Sequence, residues 1–82
     1  MNYTFKLSGL LPGESCVVKN LESRPEIRRR LQDMGLVPKT RVKCLFQSPF
    51  GDPCAYLVRG AVIALRRDDA DDIFVSPIMG GD

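Results

Sequence analysis

Cys54-Ala55-Tyr56-Leu57-Val58-Arg59-Gly60-Ala61-Val62-Ile63-Ala64-Leu65 holds two five-residue apolar runs separated only by Arg59-Gly60. Runs of this length and make-up read as strands, and two strands joined by so short a link must pair antiparallel. Upstream, Ser48-Pro49-Phe50-Gly51-Asp52-Pro53 is dense in turn residues. It follows a stretch, Arg41 to Phe46, whose period-two alternation predicts a strand with Val42, Cys44 and Phe46 on the core face. Downstream, Asp68 to Asp72 reads as one helical turn and Ile73-Phe74-Val75 as a final strand. Glu14 to Asn20 supplies the first strand. Five short antiparallel strands in so few residues bury their inner faces best by curling into a small barrel.

One helix is inserted after the first strand. Ile27, Leu31 and Met34 recur at i, i+4 and i+7, and Gly35 offers a left-handed stop. Ser23 and Glu26 have the spacing of a capping box, and Pro25 is tolerated in a first turn whose amides lack helical partners. The helix is predicted over Arg24 to Met34.

A chain of 82 residues suffices for one domain and not for two, since a chain this short buries only roughly 60% of its unfolded surface. The whole of 1–82 is therefore taken as a single domain. Its longest apolar runs, of five residues, are far below what a membrane span needs, and no signal-peptide apolar region appears near the N-terminus. A cytoplasmic location is expected. Net charge is only +2, but it is unevenly laid out. Lys19 to Lys43 carries eight basic residues against three acidic ones, whereas Asp68 to Asp82 carries five acids and no base. Such lopsidedness orients encounters with charged partners.

There is no histidine, which removes the commonest general base and the commonest metal ligand together. The three cysteines, Cys16, Cys44 and Cys54, form no Cys-x-x-Cys pair, so reduced thiols are expected. Cys44 and Cys54 share parity with apolar strand positions and read as core filler rather than metal ligands. Arg28-Arg29-Arg30 fans over about 200° of helix surface and makes no single basic stripe. Asp68, Asp69, Asp71 and Asp72 lack the pattern of a calcium loop.

Four blocks resemble the FeoA family in order and spacing. They are Arg30-Leu31-Gln32-Asp33-Met34-Gly35-Leu36-Val37-Pro38, then Ser48 to Pro53, then Gly60-Ala61-Val62-Ile63-Ala64-Leu65-Arg66, and finally Ala70-Asp71-Asp72-Ile73-Phe74-Val75. Leu10-Leu11-Pro12-Gly13 matches as well, so the resemblance covers about residues 7 to 76. It implies an SH3-like barrel and a cytosolic accessory protein of the bacterial ferrous-iron transporter. That transporter is a membrane protein with a guanine-nucleotide-binding domain. The same fold serves as the C-terminal domain of iron- and manganese-dependent repressors. Lys39 departs from the family pattern, standing where glycine is usual.

An enzyme would need an activated nucleophile or a metal with an open position, and a nucleic-acid module a stronger basic surface interleaved with aromatics. Neither is visible. A protein-interaction module needs only a rigid scaffold with exposed anchors. The expected function is thus a non-catalytic adaptor that docks on the cytoplasmic guanine-nucleotide-binding domain of a ferrous-iron transporter, peripheral to the inner membrane, with no cofactor and with weak self-association. The alternative is a stand-alone relative of the repressor barrel, gripping a peptide or a domain in regulation dependent on a transition metal. The residues expected on the partner surface are Met34, Leu36 and Pro38 at the helix stop, Phe50 and Asp52 in the turn-rich loop, and Leu57, Val62 and Phe74 on outward strand faces. For Phe50 two readings stay open: a rigid anchor at the loop tip, or a ring folded back to close one end of the barrel.

Overall fold

Arg59 and Gly60 have φ of +51° and +82°, the positive values that let a two-residue link follow the twist of paired strands. This turn joins Cys54–Val58 to Ala61–Leu65, as the sequence predicts. The computed structural model describes residues 3–78. In chain order it contains β1 (Phe5–Lys6), a 3₁₀ turn (Leu7–Gly9), β2 (Ser15–Leu21), α1 (Pro25–Asp33), β3 (Arg41–Gln47), β4 (Cys54–Val58), β5 (Ala61–Leu65), α2 (Arg67–Ala70) and β6 (Ile73–Pro77). Asp82, counted in the acidic C-terminal stretch, and both ends of the expected 1–82 domain lie outside the described residues.

The strands form one antiparallel sheet in the order β1-β6-β2-β3-β4-β5. Alternation predicts five strands, and the sheet has six. The extra one, β1, is two residues long and pairs Phe5 with Val75 and Lys6 with Phe74. No periodicity can show in two residues. The hydrogen-bonded ladder does not close between β5 and β1, so the sheet curls round its core without becoming a closed cylinder. The core draws on nearly every element: Leu7, Leu10, Cys16, Val18, Leu21, Leu31, Leu36, Val42, Cys44, Cys54, Tyr56, Val58, Leu65, Ala70, Ile73 and Val75 are all buried.

Phe46 is a correction. Val42 and Cys44 point inward as predicted, but the register shifts between Cys44 and Phe46, which turns Phe46 outward and leaves it 58% exposed. An extra residue in one strand reverses every side chain beyond it.

The helix start is a second correction. α1 opens at Pro25 with Arg24 as its cap, and no side chain caps it. Proline disfavours the helical region for the residue before it, and Arg24 accordingly sits at φ −58°, ψ 153°. Ser23 is thereby one residue too early to cap, and Glu26 one too early to complete the box. Ser23 Oγ is buried and finds no hydrogen-bond partner among the described residues.

The helix stop is as predicted. Gly35, at φ +102°, donates to Gln32 O at 2.9 Å, and Leu36 N donates to Leu31 O at 3.1 Å. Those two bonds form a Schellman motif, and Leu31 and Leu36 are both fully buried beside it.

Candidate functional site

The loop between β3 and β4 is held at several points. Ser48 N and Ser48 Oγ both donate to Pro53 O, at 3.1 and 2.6 Å, and Gly51 N donates to Ser48 O at 2.7 Å. Cys54 Sγ lies 3.5 Å from Gly51 O as a weak donor. Asp52 Oδ1 accepts from Arg67 N at 3.0 Å, tying the loop to the start of α2. Phe50, at the tip, is 96% exposed. The reading in which it folds back to close the barrel is overturned. An aromatic left in water on a tethered loop has little conformational freedom to lose on binding.

Beneath the loop, the outward face of β3–β5 starts with apolar side chains and turns basic along β3 toward the other end of the strands. Register places Phe46, Ala55 and Ala64 in one row, and Lys43, Leu57 and Val62 in the next. Val62 is 61% exposed and Leu57 half-buried.

At the far end of these strands lies an open groove of about 650 Å³, formed where the start of β2, the approach to β3 and the β4–β5 turn meet. Lys39, Arg41, Lys43 and Arg59 line it together with Pro38 and Leu57, and no acidic side chain does. Lys39 has φ +76°, so the chain holds a left-handed backbone that glycine would adopt more easily. The bonds from Lys39 N to Val18 O and from Val18 N to Thr40 O, both 2.8 Å, hold that conformation against β2.

The structure brings some of the predicted partner residues together and separates others. Leu57 and Val62 are directly paired across β4 and β5, and Leu57 shares the groove with exposed Pro38. Phe50 and Asp52 are exposed at the other end of β4. Met34 is half-buried against the core. Leu36 is corrected: it is fully buried and closes the Schellman motif, so no partner can reach it. Phe74, half-buried on β6, lies opposite Lys6 and Asn20, with β2 and β3 between it and β4. Sequence reasoning missed two contributors. The register shift behind Phe46 leaves no mark in the pattern. The convergence of Arg59 on Lys39, Arg41 and Lys43 depends on strand order, although the alternation of Lys39, Arg41 and Lys43 was there to be read.

All three cysteines are buried free thiols. Burial pushes the Cys16 thiol up to about 12, with Cys44 and Glu14 adding to the rise. Burial likewise raises the Cys44 thiol and the Tyr56 hydroxyl. Thiols raised in this way, as Cys16 and Cys44 are, serve as packing groups and are poor nucleophiles or metal ligands. Among the described residues no three His, Cys, Asp or Glu side chains converge to hold a metal ion, and no helix is long and apolar enough to cross a membrane.

The FeoA domain model matches residues 5–77. Over 73 residues the chain is 33% identical to the Fe(2+) transport protein A/Fe(2+) transporter FeoB fusion protein of Porphyromonas gingivalis, covering 89% of this chain and 9% of that protein. The match thus spans less than a tenth of the fusion protein's length. The solution structure of FeoA from Chlorobium tepidum superposes with a TM-score of 0.88 at 36% identity, over 95% of this chain and 74% of that one. FeoA from Stenotrophomonas maltophilia, a zinc complex described as an SH3 domain protein, gives 0.76 at 29% identity, over 87% and 88% of the two chains. The likeness extends to a manganese-dependent transcriptional repressor, with a TM-score of 0.85 at 18% identity over 95% of this chain and 44% of that one, a likeness of fold alone.

Proposed function

We propose, from the premise that this chain belongs to the FeoA family, that it is a non-catalytic accessory protein of a ferrous-iron transporter. It docks on the transporter's cytoplasmic guanine-nucleotide-binding domain and acts at the cytoplasmic face of the inner membrane. The observation that carries this reading is the fusion: a region 33% identical to this chain shares one polypeptide with an Fe(2+) transporter in Porphyromonas gingivalis. Fusion holds two modules at high effective concentration, which serves a function only where the two act on each other.

The surface supports the same reading. Phe50 offers a rigid aromatic anchor at one end of β4, and the Leu57–Val62 pair an apolar patch toward the other end of the strand. Anchors of this kind dominate binding energy when they enter a partner's pocket. The adaptor does its work by binding one conformational state of the nucleotide-binding domain better than another, because only a difference in affinity shifts an equilibrium. A stand-alone relative of the repressor barrel has only the fold likeness behind it.

Titrating this chain into the detergent-solubilised transporter, and separately into the isolated nucleotide-binding domain, tests the proposal. Saturable binding to both, with affinity that changes between nucleotide states, is expected. Binding to the full transporter alone would move the docking site off the nucleotide-binding domain. Absence of binding to either defeats the proposal.

A further inference from the structure

We propose that the basic groove beside Leu57 binds an extended acidic segment of a partner protein. Four cationic side chains line it and no acidic one does, while the whole chain carries only +2. Positive charge is therefore gathered here beyond what the composition supplies elsewhere. Arg41 and Lys43 stand two residues apart on one strand and share its outward face. That separation equals the spacing between alternate side chains of an extended peptide. Lys39 and Arg59, which also line it, each stand on a tight connection at positive φ, where glycine or asparagine is the easier choice. A fold that places two lysine- and arginine-type side chains on unfavourable backbone, both facing one groove, keeps them for their charge.

The lining also selects the class of anion. Pro38 and Leu57 are apolar members of the lining, which holds no aromatic ring on which a base could stack, and this disfavours a nucleic acid. β2, β3 and β4 are interior strands whose backbone groups are already paired, so recognition runs through side chains and not through strand addition. The acids of a second copy are poorly shaped for it. Asp68 and Asp69 lie on the single turn of α2, and Asp71 is engaged by Ser8 Oγ. An acidic chain in extended form, with small apolar residues between its carboxylates, fits the charge, the spacing and the apolar members of the lining. The inference does not rest on the transporter being the partner.

The test is fluorescence anisotropy with a labelled octapeptide alternating Glu and Ala, against the same peptide with Gln for Glu. The Glu peptide is expected to saturate the protein at low salt, to weaken as salt screens the charges, and to withstand competition by inorganic phosphate. The double variant Lys43→Gln/Arg59→Gln, with its melting transition retained, should bind it about fivefold more weakly. Lys39→Gly is the sharper variant: it relieves the left-handed backbone while removing a cation, so it should raise the melting temperature and lower the peptide affinity together. A purely structural role for Lys39 gives the first change without the second and overturns the proposal. Equal binding of the two peptides, displacement by phosphate, preference for phosphatidylglycerol vesicles, or self-association abolished by the double variant would each overturn it too. Transporter binding can survive any of these results, which keeps the two proposals separately testable.

Discussion

Asp52 and Arg67, fifteen residues apart, are joined by a 3.0 Å hydrogen bond from the Arg67 amide to Asp52 Oδ1. Arg67 opens α2, whose own preceding residue, Arg66, supplies no side-chain cap. The carboxylate thus satisfies a first-turn amide that the local sequence leaves bare. The same bond fixes the base of the loop that carries Phe50. Fold stability and presentation of the aromatic anchor therefore share one contact.

Phe50→Ala should separate anchor from core. A side chain 96% exposed contributes almost nothing to folding, so the melting temperature should hold, within the range of about 0.5 kcal/mol usual for surface changes. Binding to the transporter should weaken by roughly 2 kcal/mol if the ring enters a pocket. Asp52→Ala should lower both stability, by about 1 kcal/mol through the lost helix contact, and binding, through the loosened loop. Calorimetric unfolding beside a binding titration on both variants reads the two effects. A Phe50→Ala protein that binds as well as wild type removes the ring from the docking surface.

Gly35→Ala tests the helix stop. At φ +102° an added Cβ also lies 3.3 Å from Val58 Cγ1 and 3.4 Å from Arg59 Cδ. The left-handed backbone alone costs a non-glycine residue about 1–2 kcal/mol, and the contact with buried Val58 adds to it. Denaturant unfolding should show a lower midpoint with an unchanged slope. An unshifted midpoint would mean that the Schellman geometry reorganises freely.

Much of this fold was legible because its signals are local. The β4–β5 hairpin follows from two apolar runs and a two-residue link, and the α1 stop from a glycine after an apolar stripe. What was not legible depends on contacts distant in sequence or on one-residue offsets. β1 exists only because β6 offers Val75 and Phe74 to pair with. Phe46 faces outward only because the β3–β4 register slips. The basic groove needs Arg59 from one hairpin turn beside Lys39 from the approach to β3. Leu36 follows the helix stop, where a partner-facing residue is expected, but the residue after a Schellman glycine commonly packs back on the helix, and Leu36 is fully buried.

Ser23 is a one-residue offset with a measurable consequence. As a helix cap, its replacement by alanine would cost about 1 kcal/mol. In the structure its hydroxyl is buried with no hydrogen-bond partner among the described residues, so removing it relieves a desolvated polar group. Ser23→Ala should therefore be neutral or stabilising, and so should Thr40→Val, where the same holds for Thr40 Oγ1 and the β-branched shape is kept. A loss near 1 kcal/mol for Ser23→Ala in equilibrium unfolding would restore the capping role.

Cys16 gives the fold a one-sided pH dependence. Its thiol rises from 9.0 to about 12 in the folded protein, chiefly because burial penalises the thiolate, with Cys44 and Glu14 adding to the rise. Between those values the unfolded chain has released the proton that the folded chain still holds. Fewer protons are then bound in the unfolded state, so stability falls as pH rises. The contribution is complete below about pH 9 and is lost progressively toward about pH 12. Cys44 and Tyr56, raised in the same direction by burial, steepen the decline. Denaturant midpoints measured at about pH 6, 7.5 and 10.5 should be level between the first two and drop at the third. Cys16→Ala should lower the midpoint at every pH, by leaving a cavity, while making the alkaline drop shallower. A drop of equal depth in the variant would assign the alkaline loss to other groups and return Cys16 to a purely steric role.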